Sequence, residues 1–174
     1  YSVDDVSAAL PESSAIVFYK KYWNFNLDTS KEGIRYVSIV LTSDGNVKAA
    51  DLGTIDQIEP GIERMYSTIS SFSPGYKSDR DYLYSKLVAP IESELASRNR
   101  IVFVTDGLLH KTPFSLILDG DFMINNSKHK INFLSSARDL IGINAKSAST
   151  NSPPVIVVNP EFGASFDSRV RLVA

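Results

Sequence analysis

Arg100-Ile-Val-Phe-Val-Thr-Asp-Gly-Leu-Leu-His-Lys-Thr-Pro-Phe114, with Ser-Leu-Ile-Leu118 directly after it, is the stretch on which the fold turns. Ile101 to Val104 is apolar with no polar alternation, the pattern of a strand covered on both faces, and it breaks at Asp106-Gly107, a turn dipeptide. Leu108, Leu109 and Pro113-Phe114 then lead into a second apolar stretch. Beyond this run the chain alternates strand-like and helix-like segments, which predicts an α/β fold with a mixed, mostly parallel sheet flanked by helices.

Upstream, Ala15 to Trp23 is rich in β-branched and aromatic residues and reads as a strand. A polar connection over 24–33 joins it to a second strand, Ile34 to Leu41, and Asp44-Gly45 turns the chain into a third, Val47 to Leu52; these place an antiparallel hairpin at one edge of the sheet. From Thr54, a cap residue, the period changes: Ile55, Ile58, Ile62, Met65, Tyr66 and Ile69 mark an amphipathic helix that Pro60-Gly61 is expected to split. Asp79 to Asn99 carries Leu83, Leu87, Ile91 and Leu95 at a spacing of four, a second helix that Pro90 is expected to kink or to restart as a new segment. Tyr1 to Leu10 has the spacing of a short helix stopped by Pro11. Downstream, Phe122 to Ile124 and Ile131 to Leu134 read as short strands, Ser136 to Ile143 as a serine-capped helix, 144–154 as a surface loop or partly disordered linker, and Val155 to Val158 as another buried strand.

The 174 residues suit one domain, and 43% hydrophobic content supplies a core. The 18 basic and 20 acidic residues are interspersed, for a net charge of −2, so nucleic acid is not the expected partner. No segment approaches the roughly 20 apolar residues of a membrane span, and no signal pattern opens the chain; a cytoplasmic protein is expected. Cysteine is absent, which removes disulfides, thiolate metal sites and a thiol nucleophile.

His110 beside Asp106 and Thr112 invites a reading as general base to Ser115, but the spacing alone supplies no triad geometry. The plainer expectation is that Asp106-Gly107 makes the turn, Leu108, Leu109 and Phe114 plug the core, and His110 lies partly exposed. His129 is expected in an exposed polar loop. The two histidines with Asp106, Asp119 and Asp121 lack a metal-ligand spacing. Asp79, Asp81, Glu92 and Glu94 are spaced in twos, so each pair splits across its helix and faces solvent. The glycines form no phosphate-cradling loop. Thus no catalytic, cofactor-binding or metal-binding residue is assigned, and no cofactor. Tyr19, Tyr22, Trp23 and Phe25 form an aromatic cluster that packs in part and, at Trp23 and Phe25, runs past its strand as an edge able to dock a neighbouring domain.

Three segments in order, Leu10-Pro-Glu-Ser13, the Arg100 to Phe114 run and Val155-Ile-Val-Val-Asn-Pro-Glu-Phe162, resemble the CHAT domain, a caspase-like peptidase domain often joined to tetratricopeptide repeats. The resemblance implies a caspase-like fold, here an incomplete domain. In that family the Leu-His-x-x-Pro-Phe-like segment is a structural signature, and the catalytic histidine (in a His-Gly pair) and cysteine follow the Asn-Pro-x-Phe segment. No position here matches either motif. The resemblance therefore implies that residues 1–174 are the non-catalytic front portion of a cysteine endopeptidase, with 1–12 a junction to upstream helical repeats; the start at Tyr1 and the end on Val-Arg-Leu-Val-Ala174 read as cut from something longer. Its implied partners are the downstream catalytic half, those repeats, and a protein substrate or regulator, with no membrane and no nucleic acid. A pseudo-peptidase or scaffold module for protein–protein interaction is the alternative.

Overall fold

The computed structural model describes residues 1–25, 33–71, 75–119 and 128–145. Among them, five strands form one sheet in the order β3-β2-β1-β4-β5. β1 (Ser14–Asn24) pairs antiparallel with β2 (Gly33–Thr42), and β2 with β3 (Val47–Thr54). On its other side β1 pairs parallel with β4 (Arg100–Val104), and β4 with β5 (Lys130–Phe133). The expected mixed sheet with an antiparallel edge is present, its antiparallel part being a three-stranded meander. The turn at Asp44-Gly45 closes as anticipated, with Gly45 at φ 84° and its amide donating to the Thr42 carbonyl over 2.9 Å.

Alternation along β1 divides the core. Ala15, Val17 and Tyr19 face a helical layer with Tyr36, Val40, Ile101 and Phe103, while Ile16 faces the opposite side with Leu41, Val102 and Val104. β4 thus has both faces covered, as its unbroken apolar run requires.

The second face is capped near the start of β1 by α1 (Val3–Ala9) and α6 (Ala137–Ala145), through Val6, Leu10 and Leu140. α1 opens on a capping box in which the Asp5 amide donates to Ser2 Oγ (3.1 Å) and the Ser2 amide to Asp5 Oδ2 (2.6 Å). α6 starts one residue after Ser136, but the cap runs the other way: the Ser136 amide donates to Asp139 Oδ2 (2.9 Å).

The first face carries α2 (Ile55–Ser70), which buries Ile58, Ile62 and Met65. The anticipated split at Pro60-Gly61 does not occur. Pro60 forfeits one bond early in the helix, and Gly61 faces α3 (Tyr76–Leu83), where a Cβ would stand 3.0 Å from the Tyr82 ring.

The second long helix begins at Tyr76 rather than Asp79, and its winding changes around Pro90: α3 passes into a π turn over Tyr84–Val88, a 3-10 turn over Ala89–Ile91, and α4 (Glu92–Leu95). Pro90 has no amide to donate, and the preceding Ala89 amide reaches back to the Tyr84 carbonyl, the longer π-type bond. In a regular α-helix a spacing of four overshoots a full turn by about 40°. The wide turn takes some of that back, and Leu83, Leu87, Ile91 and Leu95 all remain buried. The anticipated strands at Phe122 to Ile124 and Val155 to Val158, and the loop from 146 onward, lie outside the described residues.

Candidate functional site

In a sheet of this order the chain leaves β1 toward β2 and leaves β4 toward β5, on opposite sides. The crevice beyond the carboxyl ends of β1 and β4 is therefore the place where an α/β sheet ordinarily receives a ligand. Thr105 to Phe114 occupies it.

Gly107 turns the chain with φ 58°, and a 3-10 turn follows over Gly107–Lys111. The glycine is required for space as well as conformation: a Cβ there would lie 2.3 Å from Lys21 Cε and 2.8 Å from Tyr36 Oη. Lys21 crosses the turn to reach Glu59 (Nζ to Oε1, 2.6 Å), and the Tyr36 hydroxyl donates to the same carboxylate oxygen over 2.8 Å. The Tyr36 phenol thus ties strand β2 to helix α2 directly beside the turn after β4. The Lys21 amide donates to Asp106 Oδ2 at 3.3 Å. Burial, together with Glu59, pushes the Tyr36 phenol upward, keeping it protonated and donating. Burial alone would raise the Glu59 carboxyl, yet the bonds from Lys21 and Tyr36 outweigh it and leave that carboxyl below its ordinary value. Amine, phenol and acid are thus engaged with one another.

The rest of the run seals the core. Leu109 and Phe114 are fully buried and Leu108 packs against the same cluster. The Phe114 ring lies 4.3 Å from that of Phe103 and 5.3 Å from that of Tyr19, centroid to centroid. The buried Tyr19 hydroxyl, itself pushed upward by desolvation, donates to the Leu87 carbonyl inside the π turn (2.9 Å). The sequence expectation for Leu108, Leu109 and Phe114 as plugs holds.

His110 is exposed, with Nδ1 2.8 Å from Thr105 Oγ1. Ser115 is exposed on α5 (Phe114–Asp119), and among the described residues no hydrogen bond joins it to His110. The dyad considered for these two residues is not assembled.

His129 is a correction. It is 7% exposed rather than lying in an open loop, because the Lys130 amide bonds the Asn99 carbonyl (2.8 Å) and draws the preceding residue onto α4. There it borders a shallow cleft with Tyr84, Glu92, Leu95 and Lys128. The side chain of Asp119 and all of Asp121 lie outside the described residues; among those described, no three His, Cys, Asp or Glu side chains gather as a metal would need.

The helical carboxylates are dispersed. Asp79 pairs with Arg64 (3.1 Å), Asp81 with Arg80 (2.5 Å) and Glu94 with Lys48 (3.5 Å), while Glu92 faces Tyr84 and raises its phenol after burial has done so. In the aromatic cluster, Tyr19 is core and Tyr22 turns to the other face to donate to Asp51 (3.1 Å). Trp23 and Phe25 remain 57% and 66% exposed. Leu10-Pro-Glu-Ser13 forms the joint between α1 and β1, with Ser13 at φ 55° and its carbonyl accepting the Asn99 amide at 2.9 Å.

Lys21, Tyr36 and Glu59 were legible in the sequence only as members of their strands and helix. The Asp-Gly turn was the one local sign of the place where they meet.

The CHAT-domain family model matches residues 80–172, more than half of the sequence, and takes in both the Arg100 to Phe114 run and the Val155 to Phe162 segment. The chain belongs to the CHAT family. Its mixed α/β sheet flanked by helices is consistent with the caspase-like fold of that family. The match starts after Leu10-Pro-Glu-Ser13, so that segment stays a resemblance. Comparison with curated proteins and with solved structures gives no match. No helix among the described residues is long and apolar enough to cross a membrane.

Proposed function

We propose that this chain is the front, non-catalytic portion of a caspase-like cysteine endopeptidase, bracing and regulating a catalytic half that carries the His and Cys dyad downstream in the same protein. One observation carries the reading: a member of the CHAT family whose sequence contains no cysteine has no thiol with which to form an acyl-enzyme. The filled crevice supports it, since Lys21 and the Tyr36 hydroxyl both engage Glu59 where a ligand would otherwise enter. The partners in this reading are the downstream catalytic half and upstream helical repeats, in a cytoplasmic protein acting on or regulated by another protein.

The test joins this chain to the sequence that follows it in its reading frame and assays peptide cleavage. Cleavage that iodoacetamide abolishes supports the proposal. Cleavage by residues 1–174 alone would overturn it.

A scaffold module that binds a partner without cleaving is favoured by one observation, the exposed aromatic pair Trp23 and Phe25. A following sequence with neither a strand ending in His-Gly nor one ending in Cys would select that reading.

A further inference from the structure

β1 is eleven residues long, and β2 pairs with it from Ala15 to Asn24. β4 covers the other edge along Ser14 to Phe18. Beyond Phe18 the antiparallel arm of β1, β2 and β3 projects past β4, and among the described residues no strand pairs with that edge of β1. The Lys21 amide points toward the β4 side, since it donates to Asp106 Oδ2. The alternation of a strand turns the peptide groups of Trp23 to the same side, beyond the reach of Asp106.

An open strand edge is ordinarily blunted with lysines or proline. Here Lys21 is drawn away to Glu59, and the edge ends instead in Trp23 and Phe25, both more than half exposed. Unpaired strand backbone calls for strand backbone, and exposed aromatics beside it offer apolar anchorage. The flanking charge selects among such strands: Lys20 is exposed on the face of β1 opposite to Lys21, Glu59 is neutralised by Lys21, and the Asp106 carboxylate is turned to a backbone amide.

We propose that the edge of β1 beyond Phe18 receives an extended acidic peptide segment of a partner protein as an added strand, anchored on Trp23 and Phe25. The proposal does not depend on whether the parent protein is an active peptidase. Main-chain pairing at the Lys21 carbonyl and the Trp23 peptide groups supplies register, and carboxylates on the face away from α2 meet Lys20.

Trp23 is the single tryptophan of the chain, so its emission reports on this edge directly. The probe is the acetylated, amidated hexapeptide Val-Asp-Val-Glu-Val-Asp, titrated into the full chain. Expected is a saturable blue shift, weakened about tenfold by N-methylation at alternate peptide nitrogens and by the substitution Lys20→Glu. Lys20 is exposed, and circular dichroism verifies that the variant is folded. The proposal is overturned if emission is unchanged up to about 1 mM peptide, or if the Val-Lys-Val-Lys-Val-Lys counterpart or the N-methylated peptide binds equally well. It is also overturned if the Trp23 amide is already protected from hydrogen exchange in the free chain, which would mean that the chain covers its own edge.

Discussion

Replacing Gly107 by alanine tests how the decisive segment is held. The native φ of 58° lies in the left-handed region, where a Cβ costs about 1–2 kcal/mol. The added methyl would stand 2.3 Å from Lys21 Cε and 2.9 Å from its Nζ, so the lysine must swing out and surrender Glu59. That partly exposed pair is worth at most about 1 kcal/mol. Tyr36 cannot yield in the same way: its side chain is fully buried and its Oη would be 2.8 Å from the methyl, so the turn itself must move and loosen the bond from the Lys21 amide to Asp106, for about 1 kcal/mol more. The sum is about 2–4 kcal/mol, read from urea unfolding as a lowered midpoint at unchanged slope. Adding Lys21→Ala to Gly107→Ala should recover little, since the backbone strain and the Tyr36 contact remain. A Gly107→Ala protein within about 0.5 kcal/mol of the parent, or one fully rescued by Lys21→Ala, would refute the reasoning.

Phe114→Ala removes a ring stacked on Phe103 and Tyr19 and should cost about 3–5 kcal/mol by the same unfolding assay. His110→Ala, which deletes an exposed ring bonded to Thr105, should cost about 1 kcal/mol or less and leave any peptide cleavage by the parent protein unchanged. Glu59 has a folded value lowered below its ordinary 4.5, so its contribution to stability is present above that pH and is lost as pH falls through the folded value. Glu59→Gln should therefore flatten the acid limb of the stability profile below about pH 4.5 while leaving the profile's shape unchanged near pH 8, as followed by thermal melting.

Local chemistry made much of this fold legible. The unbroken apolar run Ile101 to Val104 demanded cover on both faces, and the β-branched Ala15 to Trp23 segment and the Asp44-Gly45 turn announced the antiparallel edge. Pro60 misled, because a proline early in a helix sacrifices one hydrogen bond while Ile58, Ile62 and Met65 still gain a full core. The four-residue spacing of Leu83, Leu87, Ile91 and Leu95 carried a hint of the π turn, since a regular helix would rotate such a row off the sheet. The burial of His129 and the meeting of Lys21, Tyr36 and Glu59 were not readable. Each depends on tertiary placement: a backbone bond from Lys130 to Asn99 in one case, three separate elements converging on Gly107 in the other. For the candidate site, the sequence pointed to the place through Asp106-Gly107 and Phe114 but not to the side chains that fill it.

The central claim is that a member of the CHAT family without a cysteine serves a catalytic half that holds the thiol. Cleavage of a fluorogenic peptide library, measured side by side for residues 1–174 and for this chain joined to the sequence that follows it, tests that claim most directly. The account predicts no turnover by the chain alone and iodoacetamide-sensitive turnover by the longer protein. Turnover by residues 1–174, or turnover by the longer protein that iodoacetamide leaves intact, would contradict it.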